Sequence, residues 1–210
     1  MNDISQALQW RYATKQYDTT KKVSDEHVQK ILEAIQYAPN SFGLQAWRAI
    51  IVHDVETRKK LREVGYNQAQ ITDASHLIVF AVKNDITEAD TEEFMQDIVK
   101  ERGVERSTLD GYAQTINGAL TQKGKEGAHN WMSRQAYISL GFGLLTAALL
   151  GVDACPMEGF DNAKFDEILG LTEKGLSSKA ILTLGYRVPS DPFAHMKKVR
   201  TPQERLFIQK

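Results

Sequence analysis

Disulfides are excluded at once: the 210 residues contain one cysteine, Cys155, so no intrachain bridge can form. Such cysteine usage fits a reducing compartment, and the chain is expected to be cytoplasmic. Cys155 stands in Ala154-Cys155-Pro156 with no CxxC and no evident nucleophile partner, which reads as a buried structural thiol. Neither sign of charge is in excess, with 26 Lys and Arg against 27 Asp and Glu. That balance removes the electrostatic footprint of a nucleic-acid or acidic-membrane binder. No GxGxxG follows a strand, and there is no GxxxxGK[ST], HExxH or GxSxG. The five histidines, His27, His53, His76, His129 and His195, are scattered without metal-ligand spacing, so no metal is expected. Residues 1–18 lack the apolar core of a signal peptide.

Long apolar runs are also missing, with one exception. Trp131–Leu150, WMSRQAYISLGFGLLTAALL, holds a single charge, Arg134, and its apolar residues go all the way round a helix. Such a helix is the buried axis of a fold or a membrane span. Gln135, Ser139, Thr146, two glycines and the absence of flanking basic clusters favour the buried axis. Gly151 stands where a C-terminal cap is expected, and VDACPMEGFD then brings an extended segment, an acid and a turn to the core axis. Chemistry is expected there.

Outward from that axis, the sequence predicts a short helix from Ile4 to Trp10 and a second after Ser24, with Val28, Ile31, Leu32, Ile35 and Tyr37 as its stripe. Strands are predicted at Arg48–His53, His76–Val82 and Lys179–Gly185, and helices at Thr57–Val64, Gln68–Thr72 and Phe165–Leu169. Residues 84–129 are polar and rich in helix formers, and read as a helical excursion that packs weakly on the core, with Gly-rich connections at Gly124 and Gly127. The terminal triplet Leu206-Phe207-Ile208 is a candidate strand, paired within the chain or on another subunit. Strands and helices mixed without a βαβ rhythm indicate one α+β domain over 1–210 with a mainly antiparallel sheet.

Cations and donors stand out in the irregular segments: Arg11 and Lys15 after the first helix, Asn40, Ser41 and Gly43 after the second, Lys198 and Arg200 in the tail. The two basic pairs converge on a phosphate or are solvated surface charges; charge alone leaves both readings open.

RYATKQYD, APNSFGLQAWR, DASHLIVFAV, GFGLLTAALLGVDACPMEGFD, ILTLGYR and KKVRTP occur in the order and spacing seen in the nitroreductase family of FMN-dependent NAD(P)H oxidoreductases. The chain resembles that family from Ile4 to Pro202, and within it the oxygen-insensitive nitroreductases and dihydropteridine reductases. The resemblance implies an intertwined α+β homodimer around a long buried helix, with FMN bound between subunits. It further implies that Arg11, Tyr12, Ala13 and Lys15 contact the FMN phosphate and pyrimidine side, joined by Lys198 and Arg200 at the phosphate. Asn40, Ser41 and Gly43 would reach the partner's cofactor, and Asn67 and Gln70 would lie near the pyrimidine and nicotinamide. Pro156, Met157, Glu158 and Gly159 would form the turn at flavin N5, with the N–H of Glu158 or Gly159 nearby.

The implied activity is hydride transfer from NADH or NADPH to flavin N5, then to a nitroaromatic or quinone acceptor by a ping-pong route, with no side-chain acid or base. A flavin-binding protein for sequestration or sensing is the alternative. Phe42, Phe94, Tyr112 and Ile116 are the expected substrate-cleft residues. Ala13 replaces a frequent Ser and Gln70 a frequent Lys, so one phosphate hydroxyl and one cation of the family pattern are missing.

Overall fold

The structure, a computed structural model, describes residues 3–210. Four strands form one antiparallel sheet in the order β1-β2-β4-β3: β1 (Trp47–Val52), β2 (His76–Lys83), β3 (Asp153–Met157) and β4 (Leu176–Gly185). The interior strand β2, HLIVFAVK, is apolar almost throughout because both faces of the sheet are covered. Its alternation sorts side chains between two cores: Ile78, Phe80 and Val82 enter one, Leu77 and Val79 the other.

On the first face lie α1 (Ile4–Trp10), α2 (Asp25–Gln36), α5 (Glu88–Arg102) and α6 (Asp110–Leu149). On the second lie α3 (Val55–Val64), α4 (Gln70–Asp73) and α7 (Asn162–Ile168). A last short helix, α8 (Gln203–Leu206), lies in the tail. The Ser24 hydroxyl accepts from His27 N at the start of α2, as the spacing predicts. Val28, Ile31 and Ile35 then face α6 and the sheet, whereas Tyr37, expected in the same stripe, ends the helix and is exposed.

The predicted axis is the C-terminal part of α6. At Gly124 the backbone leaves helical geometry (φ 64°, ψ 175°), so α6 is two helices meeting at a break. The axis therefore starts before Trp131, and Gly127 lies inside it, not in a connection. Gly143 is buried where α6 crosses α2: a Cβ there would stand 2.9 Å from Ile35 Cγ1 and 3.3 Å from Leu182 Cδ2. Gly151 (φ 70°) follows the end of α6 as expected. No helix among the described residues is long and apolar enough to cross a membrane.

Three expectations are corrected. β3 is a full strand, not merely an extended segment; Pro156 is tolerated because β3 is at the sheet edge. The excursion packs firmly: Met95, Ile98, Ala113, Ile116 and Leu120 are buried in the same core as β2 and β4. The small apolar face of this stretch, Ala113, Ile116 and Leu120 at helical spacing, is fully committed to the core. Ile116 is thus a core residue with no exposure and lines no cleft. Ile116→Val is expected to cost about 0.5–1.5 kcal/mol of stability. Chemical denaturation would check that value, and acceptor preference should stay unchanged. Leu206-Phe207-Ile208 forms no strand within the chain; Leu206 ends α8 and all three are exposed.

Candidate functional site

The segment after α1 leaves helical geometry at Arg11 and threads between β3 and the tail. Ala13 bridges Ala154, Thr14 N donates to Ala154 O (3.3 Å), and Tyr17 bridges Arg187. This path puts Arg11 and Lys15 over the inner end of β3. Both exert their field on Cys155, whose thiol burial pushes up while the two cations pull it down. Gln70, buried at the start of α4, lies against the same thiol. Arg58 holds α4 from below: its Nε donates to Ile71 O (2.7 Å) and Nη2 to Ala74 O (2.5 Å).

The tail returns Lys198 and Arg200 to the same place. Burial lowers the Arg11 pKa, and Arg200 lowers it further. Burial likewise lowers that of Lys198, with Arg11, Arg200 and Arg187 adding to the effect. Lys198 Nζ donates to Gln9 O, while Arg200 Nη1 donates only to Val199 O. Among the described residues neither Arg11, Lys198 nor Arg200 has a carboxylate within ion-pair distance. Arg11 Nε is buried with no acceptor. Like charges gathered without a counter-ion, one of them with a buried orphan donor, are what a phosphate group requires of its site.

From Cys155, β3 runs out to the turn Glu158-Gly159. Tyr137 on α6 donates its hydroxyl to Glu158 Oε1 and to Lys179 O, and Gln68 Nε2 donates to Gly159 O (2.6 Å). Burial, then the Glu158 bond, raises the Tyr137 pKa. The Gly159 N–H has no acceptor among the described residues. Pro156 and Met157 are strand residues, and Met157 is buried in the second core. Beside Gly159 stands Tyr66, 70 % exposed, next to Asn67; both have left-handed backbone (φ 55° and 52°). Arg62 holds that turn, its Nε donating to Asn67 Oδ1 (3.0 Å).

Asn40, Ser41, Phe42 and Gly43 form a separate group. Phe42 and Gln45 adopt positive φ (57° and 40°), strain of about 1–2 kcal/mol each. Several bonds fix the loop: Ser41 N to Gln135 Oε1 (2.9 Å), Gln45 N to Asn40 Oδ1 (3.1 Å) and Tyr112 OH to Phe42 O (2.7 Å). The Phe42 ring meets Tyr112 and Trp131 edge-on at 6.1 and 5.8 Å, and Phe94 meets Tyr112 at 6.5 Å. Gly43 faces the Phe94 ring. Asn40 Nδ2 is buried without a partner. No hydrogen bond, ion pair or ring contact joins this loop to the cation group among the described residues.

Sequence reasoning missed the framework beneath the cations. Asp153 binds Arg187 through Nε–Oδ1 (2.6 Å) and N–Oδ2 (2.8 Å), and the guanidinium lies over the rings of Trp10 (4.2 Å) and Tyr12 (4.5 Å). Tyr12 also donates to Asp191 (2.8 Å), so its side chain is committed to the fold. An isolated acid in the apolar VDACPM run was the signal for Asp153, and Ser-Asp-Pro, a helix-start pattern, the signal for Asp191.

The model of the nitroreductase family matches residues 8–186. The chain is 33 % identical to an oxygen-insensitive NAD(P)H nitroreductase of Salmonella typhimurium, with all of both chains covered. It is 32 % identical to one from Enterobacter cloacae, again with full coverage of both. A chain from Exiguobacterium sibiricum, solved in complex with FMN, superposes with a TM-score of 0.85 at 21 % identity, covering 100 % of this chain and 98 % of that one. That likeness is one of fold.

Proposed function

Since the chain belongs to the nitroreductase family, we propose that it is an oxidoreductase that holds FMN, draws hydride from NADH or NADPH and passes it to nitroaromatic or quinone acceptors. The observation that carries this reading is the cation group of Arg11, Lys198 and Arg200, without a counter-ion and with the Arg11 Nε buried and unpartnered. It fits the phosphate of FMN. Bound FMN would supply the redox chemistry, taking up hydride and releasing it to the second substrate.

The protein's part is to bind and orient. Arg11, Lys198 and Arg200 would hold the phosphate, and Lys15 and Gln70 the pyrimidine side. The Glu158-Gly159 turn would offer its N–H to N5, with Tyr137 and Gln68 keeping the turn in place. Asn67 lies in the neighbouring left-handed turn, where the nicotinamide would enter.

A second copy of the chain would complete the site. Ile138 and Phe142 on α6 are 39 % and 43 % exposed, and Ile4 and Leu8 are exposed on α1, which packs against α6. An apolar stripe of this kind on the core axis suits burial against another copy. The strained, tightly bonded loop Asn40–Gly43 would then reach the partner's cofactor, with Phe42, Phe94 and Tyr112 bounding the acceptor cleft. The exposed triplet Leu206-Phe207-Ile208 would pair on the partner.

The test is sedimentation followed at flavin absorbance, then NADH and NADPH oxidation with a quinone and a nitroaromatic. Flavin travelling with a dimer and parallel double-reciprocal lines are expected. Protein that takes up no added FMN overturns the reading, and FMN uptake without turnover establishes the sequestration alternative.

A further inference from the structure

Ser190-Asp191-Pro192 starts a short helical turn in the ordinary way: Asp191 Oδ1 accepts from Phe193 N (3.0 Å), with Pro192 in the first helical position. An exposed cap would do no more. Here the residue has no exposure, and Oδ2 faces the opposite end of the chain, accepting from Tyr12 OH (2.8 Å), Lys15 N (3.0 Å) and Gln16 N (3.2 Å). No cation pairs with it within ion-pair distance among the described residues; four donors alone solvate the charge. Burial would raise the Asp191 pKa, but the Tyr12, Lys15, Phe193 and Gln16 donors prevail and hold it low.

These donors are neighbours of the cations. Tyr12 follows Arg11, Lys15 is a further cation of the same segment, and Phe193 begins the segment that carries Lys198 and Arg200. The cations repel one another, so their backbones must be held before any anion arrives. We propose that Asp191 is a positioning residue of the phosphate site, its buried carboxylate clamping segment 12–16 to segment 191–200 so that the cations face one anion. This rests on the FMN reading given above.

The experiment titrates the full-length apoprotein with FMN and with riboflavin, which shares the ring system and lacks the phosphate. Wild-type protein comes first: failure to bind FMN there ends the FMN reading and this proposal together. Asp191→Asn offers one acceptor oxygen and turns an NH2 toward N–H donors. FMN affinity is expected to fall roughly tenfold or more while riboflavin affinity falls by about threefold at most, Lys15 being the one released cation on the pyrimidine side. Tyr12→Phe, which keeps the three amide bonds to Asp191, should shift the FMN-to-riboflavin ratio in the same direction by roughly threefold or more. Equal losses for both ligands, or an unchanged ratio, would reduce Asp191 to a structural cap and overturn the proposal. If Asp191→Asn does not fold, the ratio in Tyr12→Phe decides.

Discussion

Asp153→Ala should lower the unfolding free energy by about 3 kcal/mol, the lower end of the roughly 3–5 kcal/mol seen when one partner of a buried ion pair is removed. The Asp153 side chain is 5 % exposed and that of Arg187 19 %, so the stranded guanidinium keeps only slight access to water. Trp10 and Tyr12 cover its faces and offer no carboxylate in place of the lost one. Thr14 Oγ1, which donates to Asp153 Oδ1 at 3.4 Å, and the Arg187 amide also lose their acceptor. The double variant Asp153→Ala/Arg187→Met should recover part of the loss, because a buried apolar pair carries no stranded charge. Urea unfolding of the two single variants and the double closes a thermodynamic cycle. Additive losses would mean that the pair is not coupled as its geometry implies.

Arg11→Ala is expected to weaken FMN binding by about 10- to 150-fold, the loss of a charge-assisted contact of about 1.5–3 kcal/mol. Arg11 is half-buried, and its Nε already lies where no protein acceptor reaches it. The substitution also removes a repulsive neighbour from Lys198 and Arg200, so the apoprotein should not lose stability in proportion. Arg11→Lys should recover only part of the affinity, since an ammonium lacks the planar fork that binds two phosphate oxygens. Fluorescence titration at low and high salt checks both points. An unchanged affinity in Arg11→Ala would place the phosphate elsewhere.

How far the sequence could be read depended on the range of the interaction. Helix α2 was plain because Val28, Ile31 and Ile35 repeat within a few turns, and β2 because an apolar run of strand length is a local signal. Helix α6 was found by its apolar centre but started too late. The first turns after the break at Gly124, Lys125–Asn130, are polar because much of their surface meets solvent. Ile116 is misplaced for a different reason: few large apolar groups in a polar stretch suggest a cleft lining, whereas Ile116 lies with Ala113 and Leu120 in the main core.

For the site, cation type and location were visible, but no spacing rule brings Arg11 to Arg200; the resemblance did that. Asp153 and Asp191 left the weakest trace. Their partners Arg187 and Tyr12 stand 34 and 179 residues away, and a single acid has no period. The left-handed pair Tyr66 and Asn67 was invisible as well, since neither residue is glycine.

The framework that joins the segment after α1 to the tail also has a timetable. The hydroxyl of Tyr12 finds its acceptor 179 residues further on. At ~5–20 residues per second, roughly 10–35 s of translation separate the two. Until Asp191 emerges, a growing chain holds Arg11 and Lys15 against β3 only through bonds such as Thr14 N to Ala154 O, while all four strands have already been made. The cation group is therefore assembled late, on a core already able to condense. A ribosome that stalls before Asp191 releases a chain with nearly all its strands and helices and no means of setting those charges around one anion.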